Sequence, residues 1–167
     1  METFMRLPIA IGAGLLISLG LYSPLIAQPP IQIAQARPTD SNLGQLRKNR
    51  QLWKQQKISK YRYQLTRSCF CTPEARGPVI VEVRNGVTTS VISVATGKPV
   101  DKELFQQYNT VPKLFSVIQD AIARKADSLT VKYDPKLGYP SQINVDYSQQ
   151  MADEELYLTI ENFKVLK

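Results

Sequence analysis

Between Tyr61 and Thr66 the chain alternates strictly, with Tyr61, Tyr63 and Leu65 apolar and Arg62, Gln64 and Thr66 polar. A period of two puts alternate side chains on opposite faces of an extended chain, so this segment predicts a strand with one buried face. Val79, Val81 and Val83 repeat the pattern, and the chain returns from Val87 to Val94. Asn85-Gly86 joins the two runs, and both residues tolerate the positive φ of a tight hairpin turn. Three more runs follow: Leu129, Val131, Tyr133; then Ile143, Val145, Tyr147; then Leu156, Leu158, Ile160. Phe163 and Val165 fall one step out of phase with the last run, which predicts a β-bulge near Glu161.

Two segments carry a helical period instead. Leu46 and Trp53 share one face of a helix expected from about Leu43 to Lys57, with Leu43 close by and Asp40 or Ser41 as its N-cap. The second helix is expected to start at Thr110, with Pro112 in its first turn. Its stripe of Val111, Leu114, Phe115, Ile118, Ala121 and Ile122 reads as core. Asp101 is placed to cap a short helix running to Gln107. The order is α-β-β-β-α-β-β-β. This is an α+β fold: a mostly antiparallel, curved sheet with two helices packed on one face.

The first thirty-odd residues do not belong to that pattern. Arg6 precedes an apolar run from Leu7 to Tyr22, in the manner of a secretion signal. The run falls short of the ~20 residues that span a bilayer comfortably. Ala34-Gln35-Ala36 offers small residues at −3 and −1, so cleavage after Ala36 is expected, ahead of cleavage after Ala27 or retention of the run as an uncleaved anchor, and the mature chain then begins at Arg37. Residues 1–36 are thus read as a signal peptide, 37–42 as a linker and 43–167 as one α+β domain. The protein is expected in the periplasm or outside the cell, with no membrane span after cleavage.

Charge is uneven along this chain of net charge +7. From Arg37 to Arg67 there are nine basic residues against one acid, while the rest is close to balanced. Arg47, Lys48, Arg50, Lys54 and Lys57 make a basic face on the first helix, suited to an anionic surface such as acidic lipid or simply to solvent. The balanced remainder argues against a nucleic-acid partner. The chain has no histidine. That excludes Ser-His-Asp and Cys-His catalysis within it, and His-containing zinc sites. No cofactor loop is visible, and no cofactor is expected.

Cys69-Phe70-Cys71 is the one motif with reactive potential. In an oxidising compartment two thiols tend to pair. Residues i and i+2 of a strand lie about 6.5–7 Å apart, at the upper limit for a disulfide, so a bridge needs a turn there. Three readings compete: a local disulfide stiffening the loop, a redox-active dithiol, and a soft-metal site for an ion such as Cu(I). Asp134, Asp146 and Asp153-Glu154-Glu155 read as solvated turn residues, since no calcium-loop spacing is present. Glu154 or Glu155 is also a possible structural partner for the basic helix.

Trp53, Tyr61-Arg62-Tyr63, Cys69-Phe70-Cys71, Asn85-Gly86, Tyr133-Asp134, Gly138-Tyr139-Pro140, Asp146 and Asp153-Glu154-Glu155 together form a recognisable series. In order and spacing it resembles an uncharacterised family of bacterial secreted proteins, catalogued as a domain of unknown function. The resemblance covers roughly Leu43 to Leu166. It implies export and a single α+β domain, and carries no activity or catalytic residue. The element order is also similar to small exported inhibitor-like and PepSY-like domains, which does not fix a function. The expected role is a non-enzymatic domain binding a protein or other envelope component. The alternative is a thiol-based redox or metal-handling protein that uses Cys69 and Cys71.

Overall fold

In the computed structural model, which describes residues 38–151 and 153–167, the alternation that begins at Tyr61 becomes a central strand. The elements are α1 (Pro38–Gln56), β1 (Tyr61–Ser68), α2 (Pro73–Arg76), β2 (Val79–Arg84), β3 (Val87–Ser93), a 3-10 turn (Lys102–Phe105), α3 (Val111–Ala123), β4 (Ser128–Tyr133), β5 (Pro140–Asp146) and β6 (Glu155–Val165). The strands form one six-stranded open sheet in the order β3-β2-β1-β6-β5-β4, and every neighbouring pair is antiparallel. Each half of the chain thus folds as a three-stranded meander. The first strand of one half joins the last strand of the other.

The inward face is set by the alternation. Tyr61, Tyr63, Leu65, Val79, Val81, Val83, Ile143, Val145, Leu158 and Ile160 are buried, while the residues between them are wetter. From the helices, Leu46, Trp53, Leu114, Phe115, Val117 and Ile118 complete the core. Each large side chain buried in this way contributes about 1.5–3 kcal/mol. An aromatic cluster lies under α1. The Trp53 ring meets Tyr61 edge-on at 5.4 Å and Phe163 at 5.9 Å, and Phe163 stacks on Tyr139 at 4.3 Å. Two hydrogen bonds tie the sheet to the start of α3. The Tyr61 hydroxyl accepts from Val111 N–H at 3.0 Å, and the Tyr63 hydroxyl donates to the Tyr108 carbonyl at 2.8 Å.

Several expectations hold at the residue level. Thr110 caps α3, its side chain accepting from Lys113 N–H at 3.3 Å, and Pro112 sits in the first turn. Asp101 accepts from Glu103 N–H at 3.0 Å, capping a single 3-10 turn that ends at Phe105 rather than a helix to Gln107. The bulge lies next to Glu161. Gln64 pairs with Glu161 but Arg62 pairs with Lys164, so β6 holds one extra residue, with Asn162 at φ 51°. That extra residue turns Phe163 inward.

Two expectations need correction. The first helix starts at Pro38, not near Leu43, so it covers most of the stretch read as linker and holds Asp40 and Ser41 inside it rather than as caps. Proline suits a first turn, where its missing N–H has no intrahelical acceptor. Asn42 then anchors this end to the sheet edge, donating to the Leu129 carbonyl at 3.1 Å. The segment after the cysteines, where Thr72-Pro73 and Gly77-Pro78 read in the sequence as marking a loop, instead contains α2, which starts at Pro73 and buries Ala75. Two further bulges, at Thr89 on β3 and Ser141 on β5, carry no sequence signal as clear as the phase break in β6. The secretion signal, with Arg6, Leu7–Tyr22 and the cleavage after Ala36, lies outside the described residues. Among the described residues, no helix is long and apolar enough to cross a membrane.

Candidate functional site

The inward parity of β1 runs Tyr61, Tyr63, Leu65, Arg67. At Arg67 the apolar face ends, and a charged side chain stands where the core meets solvent. Beyond it the strand stops at Ser68 and the chain turns at Phe70. Cys71 N–H donates to the Cys69 carbonyl at 2.9 Å. A hydrogen bond between residues i and i+2 is a γ-turn, and it draws the two Cα atoms to 5.4 Å, within ordinary disulfide range. The sulfurs lie at bonding distance, so the pair is close and bridged. The turn that the Cys-x-Cys spacing demanded is therefore present. Arg76 secures its far side, its Nε donating to the Cys71 carbonyl at 2.9 Å.

Arg67 is fixed on three sides. Its Nε donates to Cys69 Sγ at 2.9 Å and Nη1 donates to the Leu104 carbonyl at 3.3 Å. Its guanidinium carbon lies 5.4 Å from the Tyr108 ring centre. Such a contact between a cation and a ring face adds to the orientation.

These residues form one wall of an open groove of ≈ 770 Å³. Cys69, Phe70, Arg67 and Tyr108 line one part of it, and Lys113, Asp120, Arg124 and Tyr147 another. Lys113 Nζ donates to the Gln106 carbonyl at 2.6 Å and to Asn109 Oδ1 at 3.0 Å. The Tyr147 hydroxyl donates to Asp120 Oδ2 at 3.1 Å, and Arg124 pairs with Asp120 at 3.5 Å while lying 4.0 Å over the Tyr147 ring. Burial raises the Tyr147 pKa above its usual value, and its hydrogen bond to the Asp120 carboxylate raises it further. The groove therefore offers aromatic faces with cations and carboxylates interleaved. Phe70, at its mouth, is 84% exposed.

The other candidates separate into exposed and structural residues. Arg47, Lys48 and Lys54 are exposed along α1, and Lys57 is exposed just past its end. Arg50, grouped with them by sequence, is half-buried between the helices. It donates to Gln119 Oε1 at 2.8 Å and to the Phe115 carbonyl at 3.1 Å. Asp134 shapes the β4–β5 turn by accepting from Lys136 and Leu137 N–H, at 2.9 and 2.7 Å. Asp146 accepts from Ser148 N–H at 3.0 Å. Among the described residues the ion pairs are Arg84–Glu82 and Arg124–Asp120, and neither joins Glu154 or Glu155 to α1. Glu155 and Asp153 line the groove instead. Among the described residues no three Cys, Asp or Glu groups come together in a way that could hold a metal ion. Cys69 and Cys71 present bonded sulfurs, not free thiolates.

Reading by sequence alone missed Arg67, Tyr108, Lys113, Asp120, Arg124 and Tyr147 as groove residues. Only Arg67 carried a usable signal: it shares the inward parity of Tyr61, Tyr63 and Leu65 and precedes Cys69 by two positions. No curated protein and no solved structure matches the chain. The family comparison does identify it: the chain matches the model of a family of unknown function (DUF6174) over residues 45–165, and it belongs to that family.

Proposed function

We propose that this is an exported, non-enzymatic domain that binds a protein partner of the cell envelope in the groove beside Cys69-Phe70-Cys71. The observation that carries the reading is Phe70: a large apolar side chain, 84% exposed, held at the mouth of a groove lined by Tyr108 and Tyr147. An aromatic group presented on a stiffened turn loses little entropy on contact, which is how interface anchors gain affinity. The mixed charges of Arg67, Lys113, Arg124 and Asp120 around it suit the polar rim of a protein contact. The exposed Arg47, Lys48, Lys54 and Lys57 support an additional contact with an anionic surface.

Affinity capture from envelope extracts, run in parallel with the wild-type protein and Phe70→Ala, tests the reading. A partner retained by the wild type and lost at least tenfold with F70A supports it, since truncating an aromatic anchor costs about 2 kcal/mol or more. Equal recovery by both proteins contradicts it.

A second reading assigns thiol chemistry to Cys69 and Cys71. What favours it is the Arg67 Nε on Cys69 Sγ at 2.9 Å, because a fixed guanidinium beside a sulfur favours its thiolate. Cys69→Ser and Cys71→Ser should each abolish such a redox or Cu(I)-handling activity while the fold survives. If both variants unfold, the pair serves the fold instead.

A further inference from the structure

The two sulfurs of the pair stand in different surroundings. Arg67 Nε reaches Cys69 Sγ at 2.9 Å, and that guanidinium is held in place by the Leu104 carbonyl and the Tyr108 ring. Cys71 is held through its backbone, its N–H donating to the Cys69 carbonyl and its carbonyl accepting from Arg76, both at 2.9 Å. In thiol–disulfide exchange the sulfur that departs takes the electron pair, so the better-stabilised thiolate is the better leaving group. Among the described residues, a cation is aimed at the sulfur of Cys69 and none at that of Cys71. The turn is also accessible, since both cysteines are part-exposed and Phe70 between them points into solvent.

We propose that Cys69–Cys71 is an exchange-active disulfide with a fixed polarity: an incoming dithiol attacks Cys71 Sγ, and Cys69 leaves as a thiolate stabilised by Arg67. This inference rests on the thiol reading above and adds to it the site of attack and the residue that directs it. In the first step a thiolate of the dithiol forms a bond to Cys71 Sγ, the Cys69–Cys71 bond breaks, and its electron pair stays on Cys69. In the second step the reductant's other thiolate attacks its own sulfur in the mixed disulfide. The reductant's disulfide closes and Cys71 leaves as a thiolate. Two electrons pass from the dithiol to the pair, and the two protons released from the dithiol go to solvent or to the new thiolates according to pH.

The test uses the protein purified as it accumulates in cells, reduced with dithiothreitol and followed by quenched alkylation and mass spectrometry. Wild type is compared with Arg67→Gln and Arg67→Lys. Removing a neighbouring cation raises a thiol pKa by about one to two units. With the usual leaving-group dependence, reduction of R67Q then slows about three- to tenfold. R67K, which keeps the charge, retains more of the rate. In the reduced proteins, alkylation of Cys69 shifts to higher pH in R67Q, a change that a purely structural role for Arg67 would not produce. Brief exposure of the wild type to glutathione, quenched by acid, should place the glutathione on Cys71.

A wild-type pair that dithiothreitol leaves untouched ends the thiol reading and the inference with it, whereas a pair found unbridged ends the inference alone. Equal rates in wild type and R67Q, or glutathione on Cys69, ends the inference alone. If R67Q does not fold, the R67K rates and the wild-type glutathione site decide between these outcomes.

Discussion

Tyr61 shows how much one side chain can carry. Its ring lies in the aromatic cluster beside Trp53 and Phe163, and its hydroxyl accepts the Val111 N–H at the first turn of α3. Tyr61→Phe keeps the ring but leaves that buried N–H without a partner, at a cost of about 1–3 kcal/mol. Denaturant melts should show that loss, and an unchanged midpoint would mean that the hydrogen bond adds nothing. Gly138 is a second such position. It has φ +80°, and a Cβ there would lie 2.6 Å from the Asn49 carbonyl oxygen of α1. Gly138→Ala combines left-handed strain of roughly 1–2 kcal/mol with a clash that the helix must move to relieve. It should lower the melting temperature more than Gly86→Ala does, because Gly86, also at positive φ, has open space around it.

The same residues explain why the family resemblance was legible before its meaning was. Trp53, Tyr61, Tyr63 and Tyr139 are buried core, Gly138 admits a close helix, and Asp134 and Asp146 hold turns. These are constraints of the scaffold, and residue types report such constraints directly. Cys69-Phe70-Cys71 stands apart, because Phe70 is exposed and fills no core position.

At the scale of elements, periodicity located every strand, because one face is buried and a one-residue slip would turn each strand inside out. The phase break at Phe163 even revealed the bulge. Element ends were less legible. Near the start of α1, Asn42 meets the Leu129 carbonyl on β4, a contact spanning half the chain that no local pattern announces. The basic residues of α1 also divided in a way their spacing did not show. Arg50 joins α1 to α3 through Gln119 and the Phe115 carbonyl, whereas Lys54 remains exposed. Arg50→Ala should therefore destabilise the domain by about 1–2 kcal/mol, the usual scale for charge-assisted hydrogen bonds. Lys54→Ala should stay within about 0.5 kcal/mol, as surface changes usually do. Equal effects in denaturant melts would remove the distinction.

Across the whole molecule, the groove draws its walls from β1, the chain before α3, α3 itself and the β5–β6 region, which come together only after folding. That is why the cysteine turn could be read from sequence while the groove beside it could not. The core also sets the alkaline limit of stability. Burial pushes the pKa of Tyr61 and Tyr133 up to about 12, and that of Tyr63 well above its usual value. Unfolded tyrosines ionise near pH ~10. The native state therefore resists deprotonation, and the stability linked to these groups is complete below pH ~10 and lost as pH rises towards ~12. Tyrosinate absorbance from the buried rings should appear together with loss of circular dichroism in that window. Ionisation of Tyr61, Tyr63 and Tyr133 at pH ~10 with the fold intact would contradict the packing described here.

The turn at Phe70 is the surface proposed here to meet the partner. Site-specific photocrosslinking in the intact cell tests it most directly, with a photoreactive phenylalanine analogue placed at position 70 and, in separate proteins, at Thr159 on the open face of the sheet and at Lys48 on α1. A discrete adduct with one envelope protein is expected from position 70, weakened when Tyr108 or Tyr147 is changed to alanine. Adducts only from positions 159 or 48, with none from 70, would contradict it.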